Sequence, residues 1–132
     1  GININFDPEV SLSFEGDSGP YLLYTHARCM SLLEKGGNRA LAWAAIPVTP
    51  LEKKLLHFER ELTSSCTDLA PQKLVTYLFS VAQLFNSYYA STQIIVEGDD
   101  TGNAHRLMIV KRTQEVLKKG LYVLGVEAVE KM

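Results

Sequence analysis

The string Gly-Asp-Ser-Gly at residues 16–19 is the first place in this sequence where residue types and spacing suggest chemistry. Trypsin-like serine proteases carry their nucleophile in a similar string, but that serine needs a histidine base and a carboxylate that orients the histidine. Only 17 residues precede Ser18, none of them is histidine, and the usual second glycine is missing. We therefore expect no catalytic residue in this chain and interpret Ser18 as part of a helix start.

Potential metal ligands are few and scattered. His26 and Cys29 are spaced to share one face of a helix, whereas the other two histidines and the second cysteine lie elsewhere. A structural zinc site needs four converging ligands, and the acids of residues 97–100 lack the ligand spacing of a calcium loop. We expect no metal site and no bound cofactor, and we interpret His26 as a hydrogen-bonded histidine at the edge of the core.

Length and composition restrict the class of protein. A chain of 132 residues fits one domain, and no apolar run in it is long enough for a membrane span. No basic and apolar leader stretch is visible, so we expect no secretory signal. Two isolated cysteines are typical of free thiols in a reducing compartment. A net charge of −2 excludes a global basic field, so any nucleic-acid binding must depend on a local patch. We expect a monomer that resides in the cytoplasm and has no membrane partner.

Apolar side chains recur at helical spacing in four stretches. The predicted helices are, in chain order, residues 20–35, a helix from the capping box of Thr49 and Glu52 through Leu62, one that starts at Pro71, and one that follows the solvated loop 97–103 and ends at Gly125. Asp17 or Ser18 would cap the first helix, and Gly120 would allow a bend in the last. Residues 38–48 allow a short helix and residues 93–98 a short strand. We predict an all-α bundle of four to six helices, preceded by a short extended segment at residues 1–13.

The first predicted helix keeps one face free of the core. Its apolar side consists of Leu22, Cys29, Met30 and Leu33. Its other side, within about 60° on the helical wheel, consists of Tyr21, Tyr24, Arg28 and Lys35. Aromatic rings stack on unpaired bases and cations meet phosphates, so this face could bind nucleic acid. Spacing alone is also explained by tyrosines at the core boundary beside solvated cations.

The last predicted helix carries a local positive stripe. Five cations stand against one acid, Glu115, in the stretch from His105 to Lys119: Arg106, Lys111, Arg112, Lys118 and Lys119. A structural explanation is also open, because cations near a helix C-terminus stabilise the helix dipole.

Three segments resemble the anticodon-binding domain of arginyl-tRNA synthetases. They are SFEGDSGPYLLYTHAR (residues 13–28), LVTYLFSVAQLFNSYY (residues 74–89) and RLMIVKRTQEVLKKGLYVLGVEAVEKM (residues 106–132). The resemblance implies a helical bundle of the DALR type at residues 14–132, joined through residues 1–13 to a catalytic domain that is absent from this sequence. It also implies that the bundle grips the anticodon stem-loop of arginine tRNA.

The resemblance also assigns residues. Tyr21, Tyr24 and Arg28 match the family's Tyr-Leu-Gln-Tyr-x-His-x-Arg motif, Tyr89 matches a tyrosine of its Phe-x-x-Phe-Tyr stretch, and Met132 matches its terminal methionine. These positions are the expected contacts to loop bases. The basic residues Lys111, Arg112, Lys118 and Lys119 are expected electrostatic contacts to phosphates.

Some features depart from the family's pattern. Leu23 stands where glutamine is common, Val129 stands where proline is frequent, and the loop at residues 97–103 is longer than expected. The family's enzyme ligates arginine to its tRNA with ATP and Mg²⁺, but its HIGH and KMSKS-like signatures do not occur here. We therefore expect this chain to be an inactive fragment of a ligase whose partners are arginine tRNA and its own catalytic domain.

Two other classes of function stay open at this point. A non-catalytic helical domain that binds protein would also expose tyrosine and arginine, which are common interface hot spots. A related anticodon-binding bundle could come from another synthetase, such as the cysteinyl enzyme or the glycyl β subunit.

Overall fold

A computed structural model of the chain describes residues 18–128, and within that range it contains five helices and no strand. The helices are α1 (Gly19–Gly36), α2 (Pro50–Leu55), α3 (Phe58–Thr67), α4 (Pro71–Ser91) and α5 (Asp100–Val123). The predicted all-α bundle of four to six helices is confirmed, whereas the extended segment at residues 1–13 lies outside the described residues. None of these five helices is both long and apolar enough to cross a membrane.

Helix α5 is the centre of the bundle. It packs against α1, α4 and α2, while α3 lies along α4. The core is formed where the apolar faces of the three long helices meet, with Leu22 and Cys29 from α1, Leu78 from α4, and Leu117 and Leu121 from α5 completely buried. Because α1 and α4 both contact α5 and each other, side chains at their common edge come close together.

The ends of α1 follow the sequence prediction only in part. Pro20 stands in the first turn, where its missing N–H costs nothing, and Gly37 beyond the last turn has a positive φ of 60° that suits glycine. Ser18 occupies the N-cap position, but its side chain makes no capping hydrogen bond. The proposed cap by Ser18 is therefore wrong, and Asp17 lies outside the described residues.

The second predicted helix is two helices. The capping box is present as predicted: the Glu52 amide donates to Thr49 Oγ1 at 3.4 Å, and the Thr49 amide donates to Glu52 Oε1 at 3.2 Å. Helix α2 ends at Leu55, however, and α3 begins at Phe58 after a turn. The apolar residues at helical spacing in this stretch are buried on both sides of the turn, Leu51 and Leu55 in α2 and Phe58 and Leu62 in α3.

Helix α5 begins earlier than the sequence suggested. The stretch expected to be a solvated loop is helical from Asp100 onward, because Asp99 caps the helix: its Oδ1 accepts a hydrogen bond from the Gly102 amide at 3.1 Å. The helix also runs through Gly120 without a break. A Cβ at position 120 would lie 2.6 Å from Leu78 Cδ2, so this glycine allows α4 and α5 to approach closely.

The two ambiguous stretches are neither helix nor strand. The link after α4 is bound to α5 by Asn103, whose side chain accepts from the Val96 amide at 2.7 Å and donates to the Val96 carbonyl at 2.8 Å. The link between α1 and α2 is bound to α5 as well, since the Ala44 amide donates to His105 Nδ1 at 3.0 Å. In both links, backbone groups form hydrogen bonds with side chains of α5 and not with a neighbouring strand.

Candidate nucleic-acid interface

An arginine and two tyrosines meet where α1 and α4 pack together. The guanidinium carbon of Arg28 lies 4.4 Å from the centroid of the Tyr89 ring and 5.5 Å from that of Tyr24. Tyr24 and Arg28 are one turn apart on α1, whereas Tyr89 stands near the end of α4. Tyr24 is 57% exposed and Tyr89 is 38% exposed, so both rings keep surface in solvent. The guanidinium is within the range of cation–π attraction to both rings.

Asn86 connects this cluster to the interior. Arg28 Nη1 donates to Asn86 Oδ1 at 2.7 Å, and Asn86 Nδ2 donates to Tyr21 Oη and Thr25 Oγ1, both at 3.0 Å. A guanidinium can only donate, so the amide oxygen of Asn86 must face Arg28 and its nitrogen must face the two hydroxyls. These hydrogen-bond partners therefore fix the orientation of the Asn86 side-chain amide.

An open groove of about 1000 Å³ lies beside the cluster. We call it the Arg28 groove, and the cationic and aromatic side chains in its wall are Tyr24, Arg28, Lys35, Tyr89 and Lys111. Three of these five are cations and two are aromatic, and one acid, Glu34, also lies in the wall. Aromatic faces beside cations on an open surface suit an unpaired base next to its phosphate.

Tyr21 is not on the open face where the helical wheel placed it. Its ring is partly buried against α4, with its centroid 5.1 Å from that of Phe79. Its hydroxyl accepts the hydrogen bond from Asn86. The wheel was wrong for Tyr21 because it took account of one helix alone, whereas α4 covers this side of α1.

The cations of α5 divide between two sides of the helix. Lys111, Lys118 and Lys119 line one groove of about 1170 Å³, and Lys111 also lies in the wall of the Arg28 groove. Lys119 Nζ also lies 3.8 Å from Glu59 Oε1. The Arg112 guanidinium carbon lies on another side, 6.0 Å from the centroid of the Phe58 ring, because successive residues are about 100° apart around a helix. Three of the five cations of the predicted stripe therefore share one groove, and Arg112 does not.

Arg106, the remaining cation of that set, is engaged at the start of α5. Its Nη2 donates to Asp99 Oδ2 at 3.0 Å and its Nε donates to the Ile94 carbonyl at 2.7 Å. These two bonds hold the link after α4, so the side chain has a structural role.

His26 is buried more deeply than the sequence suggested, whereas Cys29 is buried as its place on the apolar side of α1 predicted. His26 Nε2 lies 3.1 Å from Gln114 Nε2, and Gln114 Oε1 accepts from Lys111 Nζ at 3.5 Å, so the amide nitrogen donates and His26 Nε2 accepts. Burial raises the pKa of the Cys29 thiol far above its ordinary value, against a smaller opposing effect of the Arg28 charge. Among residues 18–128, no three His, Cys, Asp or Glu side chains gather as a metal site would require.

The sequence reasoning missed Asn86 and Thr25. Both are polar residues inside apolar helical stretches, and Asn86 stands three positions before Tyr89, on the same side of α4. That spacing was a usable signal once Tyr89 was singled out. The partner of Asn86 on α1 depends on how the two helices pack, and no local pattern reports that. Met132, the remaining predicted base contact, lies outside the described residues.

Comparison with known proteins identifies the family of the chain. Residues 22–132 match the family model described as the DALR anticodon binding domain. The arginine–tRNA ligase of Oenococcus oeni is 37% identical over 99% of this chain, and that of Limosilactobacillus fermentum is 34% identical over 98% of it. In both cases the match covers 24% of the relative, so the chain spans about a quarter of the length of these proteins.

A solved structure has the same fold. The arginyl-tRNA synthetase of Thermus thermophilus superposes with a TM-score of 0.74 and 35% sequence identity. The match covers 92% of this chain and 22% of the Thermus chain.

Proposed function

This chain belongs to the DALR anticodon-binding domain family, and from that premise we propose that it binds the anticodon stem-loop of arginine tRNA as the C-terminal part of an arginyl-tRNA synthetase. The single observation that carries the proposal is the Arg28 groove, in which a cation and two half-exposed tyrosines converge from α1 and α4. The names of the relatives supply the amino acid and the tRNA.

Each member of the groove has a chemical task in this proposal. Tyr24 and Tyr89 offer ring faces on which unpaired bases stack, because their exposed fractions leave room for a base. Arg28 offers N–H donors to the edge of a base, and Lys111 and Lys35 attract the phosphates on either side. Tyr21 contributes through its hydroxyl, which helps to hold Asn86. Lys118, in the adjoining groove, extends the positive surface past Lys111.

The proposal separates binding from catalysis. We propose that the ligase reaction, with its ATP and Mg²⁺, takes place in the catalytic domain of the parent enzyme, to which this bundle attaches covalently in the cytoplasm. The chain of 132 residues then binds tRNA as a monomer and activates no arginine. Pyrophosphate exchange into ATP in the presence of arginine should be undetectable with this chain, and a measurable exchange rate would overturn this part of the proposal.

A second candidate function has its own observation. The link between α1 and α2 exposes four large apolar side chains: Leu41, Trp43, Ile46 and Val48. Exposed apolar side chains close together in sequence are typical of a surface that contacts protein. We propose this link as a contact for the remainder of the parent enzyme.

A salt titration distinguishes RNA binding from an apolar contact. Binding of the chain to an arginine tRNA anticodon hairpin should weaken steeply as salt rises, because phosphate contacts release counterions. The variant Trp43→Ala should bind the hairpin with unchanged affinity, since Trp43 lies outside the Arg28 groove. Binding that is insensitive to salt would contradict the phosphate contacts of the proposed function. Loss of hairpin binding with Trp43→Ala would place the RNA on the link between α1 and α2 and contradict the second candidate function.

A further inference from the structure

We propose that Asn86 is a positioning residue: it fixes the direction of Arg28 in the groove and thereby contributes to discrimination between bases of the bound RNA. This inference rests on the proposed function, which makes the Arg28 groove the RNA-binding site. Neither the helical wheel nor the positive stripe pointed to Asn86, and its role comes from contacts between α1 and α4.

The orientation of Asn86 is fixed by a chain of hydrogen bonds that begins in the backbone of α1. The Thr25 hydroxyl donates to the Tyr21 carbonyl at 2.8 Å, which leaves Thr25 Oγ1 as an acceptor for Asn86 Nδ2. The same amide nitrogen donates to Tyr21 Oη. With both donors of its amide engaged, Asn86 presents its oxygen to Arg28. Thr25 is completely buried, so the chain has a rigid base.

Arg28 needs such a constraint because stacking alone does not fix its direction. The contact with Tyr89, at 4.4 Å from the ring centroid, holds the guanidinium over the ring but favours no particular rotation in its plane. One hydrogen bond at Nη1 to Asn86 removes that freedom. The remaining N–H groups of Arg28 then point in a defined direction. The planar guanidinium can donate two hydrogen bonds to a base only when its N–H groups are aligned with the acceptors of that base.

The orientation of the Arg28 guanidinium affects the selectivity between bases more than the overall affinity for RNA. Phosphates are the same for every base, so a misaligned arginine still attracts RNA through its charge. Base edges differ in their pattern of acceptors, so alignment decides which base is preferred. Loss of Asn86 should therefore reduce the ratio between the affinities for two RNAs that differ at one base, while overall binding persists.

The test is a double-mutant cycle between Asn86 and Arg28. The measured quantity is the ratio of the affinities for two RNA hairpins that differ at one base. Two hairpins are compared by fluorescence anisotropy, one with an arginine anticodon and one with its middle base changed, for wild type, Asn86→Leu, Arg28→Ala and the double variant. Asn86→Leu keeps the approximate size of the side chain and removes its hydrogen bonds. We expect it to lower the ratio by about tenfold, equivalent to ~1.4 kcal/mol, the range of a hydrogen bond to a charged group. In the Arg28→Ala background the same change should alter the ratio by less than about twofold, because coupled residues are not additive.

Two further variants separate positioning from mere packing. Asn86→Asp keeps an acceptor for Arg28, so it should keep the ratio while its negative charge lowers the affinity for both hairpins alike. Ser87→Ala changes the next residue of α4, which is exposed, and should leave both affinities unchanged. Circular dichroism of each variant shows whether the bundle folds. If Asn86→Leu does not fold, Asn86→Ala, which also removes the hydrogen bonds to Arg28, Tyr21 and Thr25, replaces it with the same expected loss of the ratio.

The outcomes separate this inference from the proposed function. If Arg28→Ala lowers the ratio but Asn86→Leu leaves it unchanged, Asn86 does not position Arg28 and the proposed function stands. If Asn86→Leu lowers the ratio equally with and without Arg28, it acts through packing and the inference is wrong. A wild-type ratio near one would also overturn the inference. If Arg28→Ala and Tyr24→Ala leave binding to both hairpins unchanged, the proposed function itself fails.

Discussion

The guanidinium carbon of Arg28 lies 4.4 Å from the centroid of the Tyr89 ring, although the two residues stand on different helices. This contact exists only because α1 and α4 pack side by side on α5. It makes the proposed binding surface a product of the tertiary fold, and it leaves the faces of two tyrosines and one cation beside an open groove.

Replacement of the groove tyrosines tests whether their rings contact RNA. Tyr24→Ala should weaken binding of the anticodon hairpin by about 1–3 kcal/mol if Tyr24 stacks on a base, whereas Tyr24→Phe should keep most of the affinity. Trp43→Ala is the aromatic control, since Trp43 is 52% exposed but lines neither the Arg28 groove nor the adjoining one. Anisotropy titrations give the affinities. An equal loss for Tyr24→Ala and Trp43→Ala would contradict the assignment.

Tyr24→Ala and Arg28→Ala should both leave the bundle folded. Tyr24 is mostly exposed, and Arg28 is held at the surface between Tyr24 and Tyr89. Circular dichroism should give the helical spectrum of the wild type for both variants. If one variant loses that spectrum, the replaced side chain supports the fold. A loss of binding in that variant could then not be assigned to a lost RNA contact.

Two adjacent cations of α5 offer a matched pair for a salt experiment. Lys111 lies in the wall of the Arg28 groove, whereas Arg112 lies beside the Phe58 ring. Lys111→Ala should reduce the slope of log affinity against log salt by about 0.7, as one phosphate contact to single-stranded RNA is lost. Arg112→Ala should leave that slope unchanged. A reduced slope for Arg112→Ala would place the RNA on the side of α3 instead.

Features governed by neighbours along the chain could be predicted from the sequence. The capping box of Thr49 and Glu52, the glycine end of α1 and the start of α4 at Pro71 all depend on residues within one helical turn. The all-α class follows from such signals, because each long helix carries its own apolar period. For the candidate site, the helical wheel identified Tyr24 and Arg28, and the family resemblance identified Tyr89.

Features governed by packing between helices could not be predicted in that way. Tyr21 has the wheel position of an open residue, yet α4 covers its ring. Asn86 is an ordinary polar residue until it faces Arg28, Tyr21 and Thr25 across the interface. Gly120 suggested a bend when taken alone, but its lack of a side chain serves the contact with Leu78. A linear pattern contains no information on what lies opposite a residue.

Substitution of Gly120 by alanine should destabilise the bundle. The new Cβ would lie 2.6 and 2.7 Å from the two terminal carbons of Leu78, which is completely buried. Overpacking of this kind costs about 1–3 kcal/mol, partly offset by the gain of about 1 kcal/mol in helix propensity. Denaturant unfolding should therefore show a net loss of about 1 kcal/mol.

A second variant checks the cause of that loss. Leu78→Ala removes the carbons that the new Cβ would meet, so the double variant should lose less stability than the sum of the two single variants. Additive losses, or a stabilising effect of Gly120→Ala, would show that α4 and α5 are not packed as closely as described.

The N-cap residue of α5, Asp99, should make the folding stability depend on pH. The hydrogen bond from Arg106 and then that from the Gly102 amide lower the pKa of Asp99 below its ordinary value. The unfolded chain therefore binds the proton first as pH falls. The stabilising contribution is present above the ordinary aspartate pKa of about 3.9 and is lost as pH falls through the lower pKa of the folded state.

Asp99→Asn measures this contribution. Asparagine is also a good N-cap but does not titrate, so the variant should be less stable than wild type near neutral pH and the difference should shrink in acid. Thermal unfolding across the pH range gives the comparison. In an Arg106→Met background, which removes the main cause of the lowered pKa, the same substitution should show a weaker pH dependence. A difference that is constant with pH would contradict the ion pair.

The most direct test of the central claim is the affinity of this chain for an arginine tRNA and for the same tRNA with its middle anticodon base changed. Fluorescence anisotropy at one fixed salt concentration measures both. We predict weaker binding to the altered tRNA, because the Arg28 groove would read an unpaired base of the anticodon loop. Equal binding to both would contradict an anticodon-reading site and leave the cations around the groove as a surface for phosphates alone.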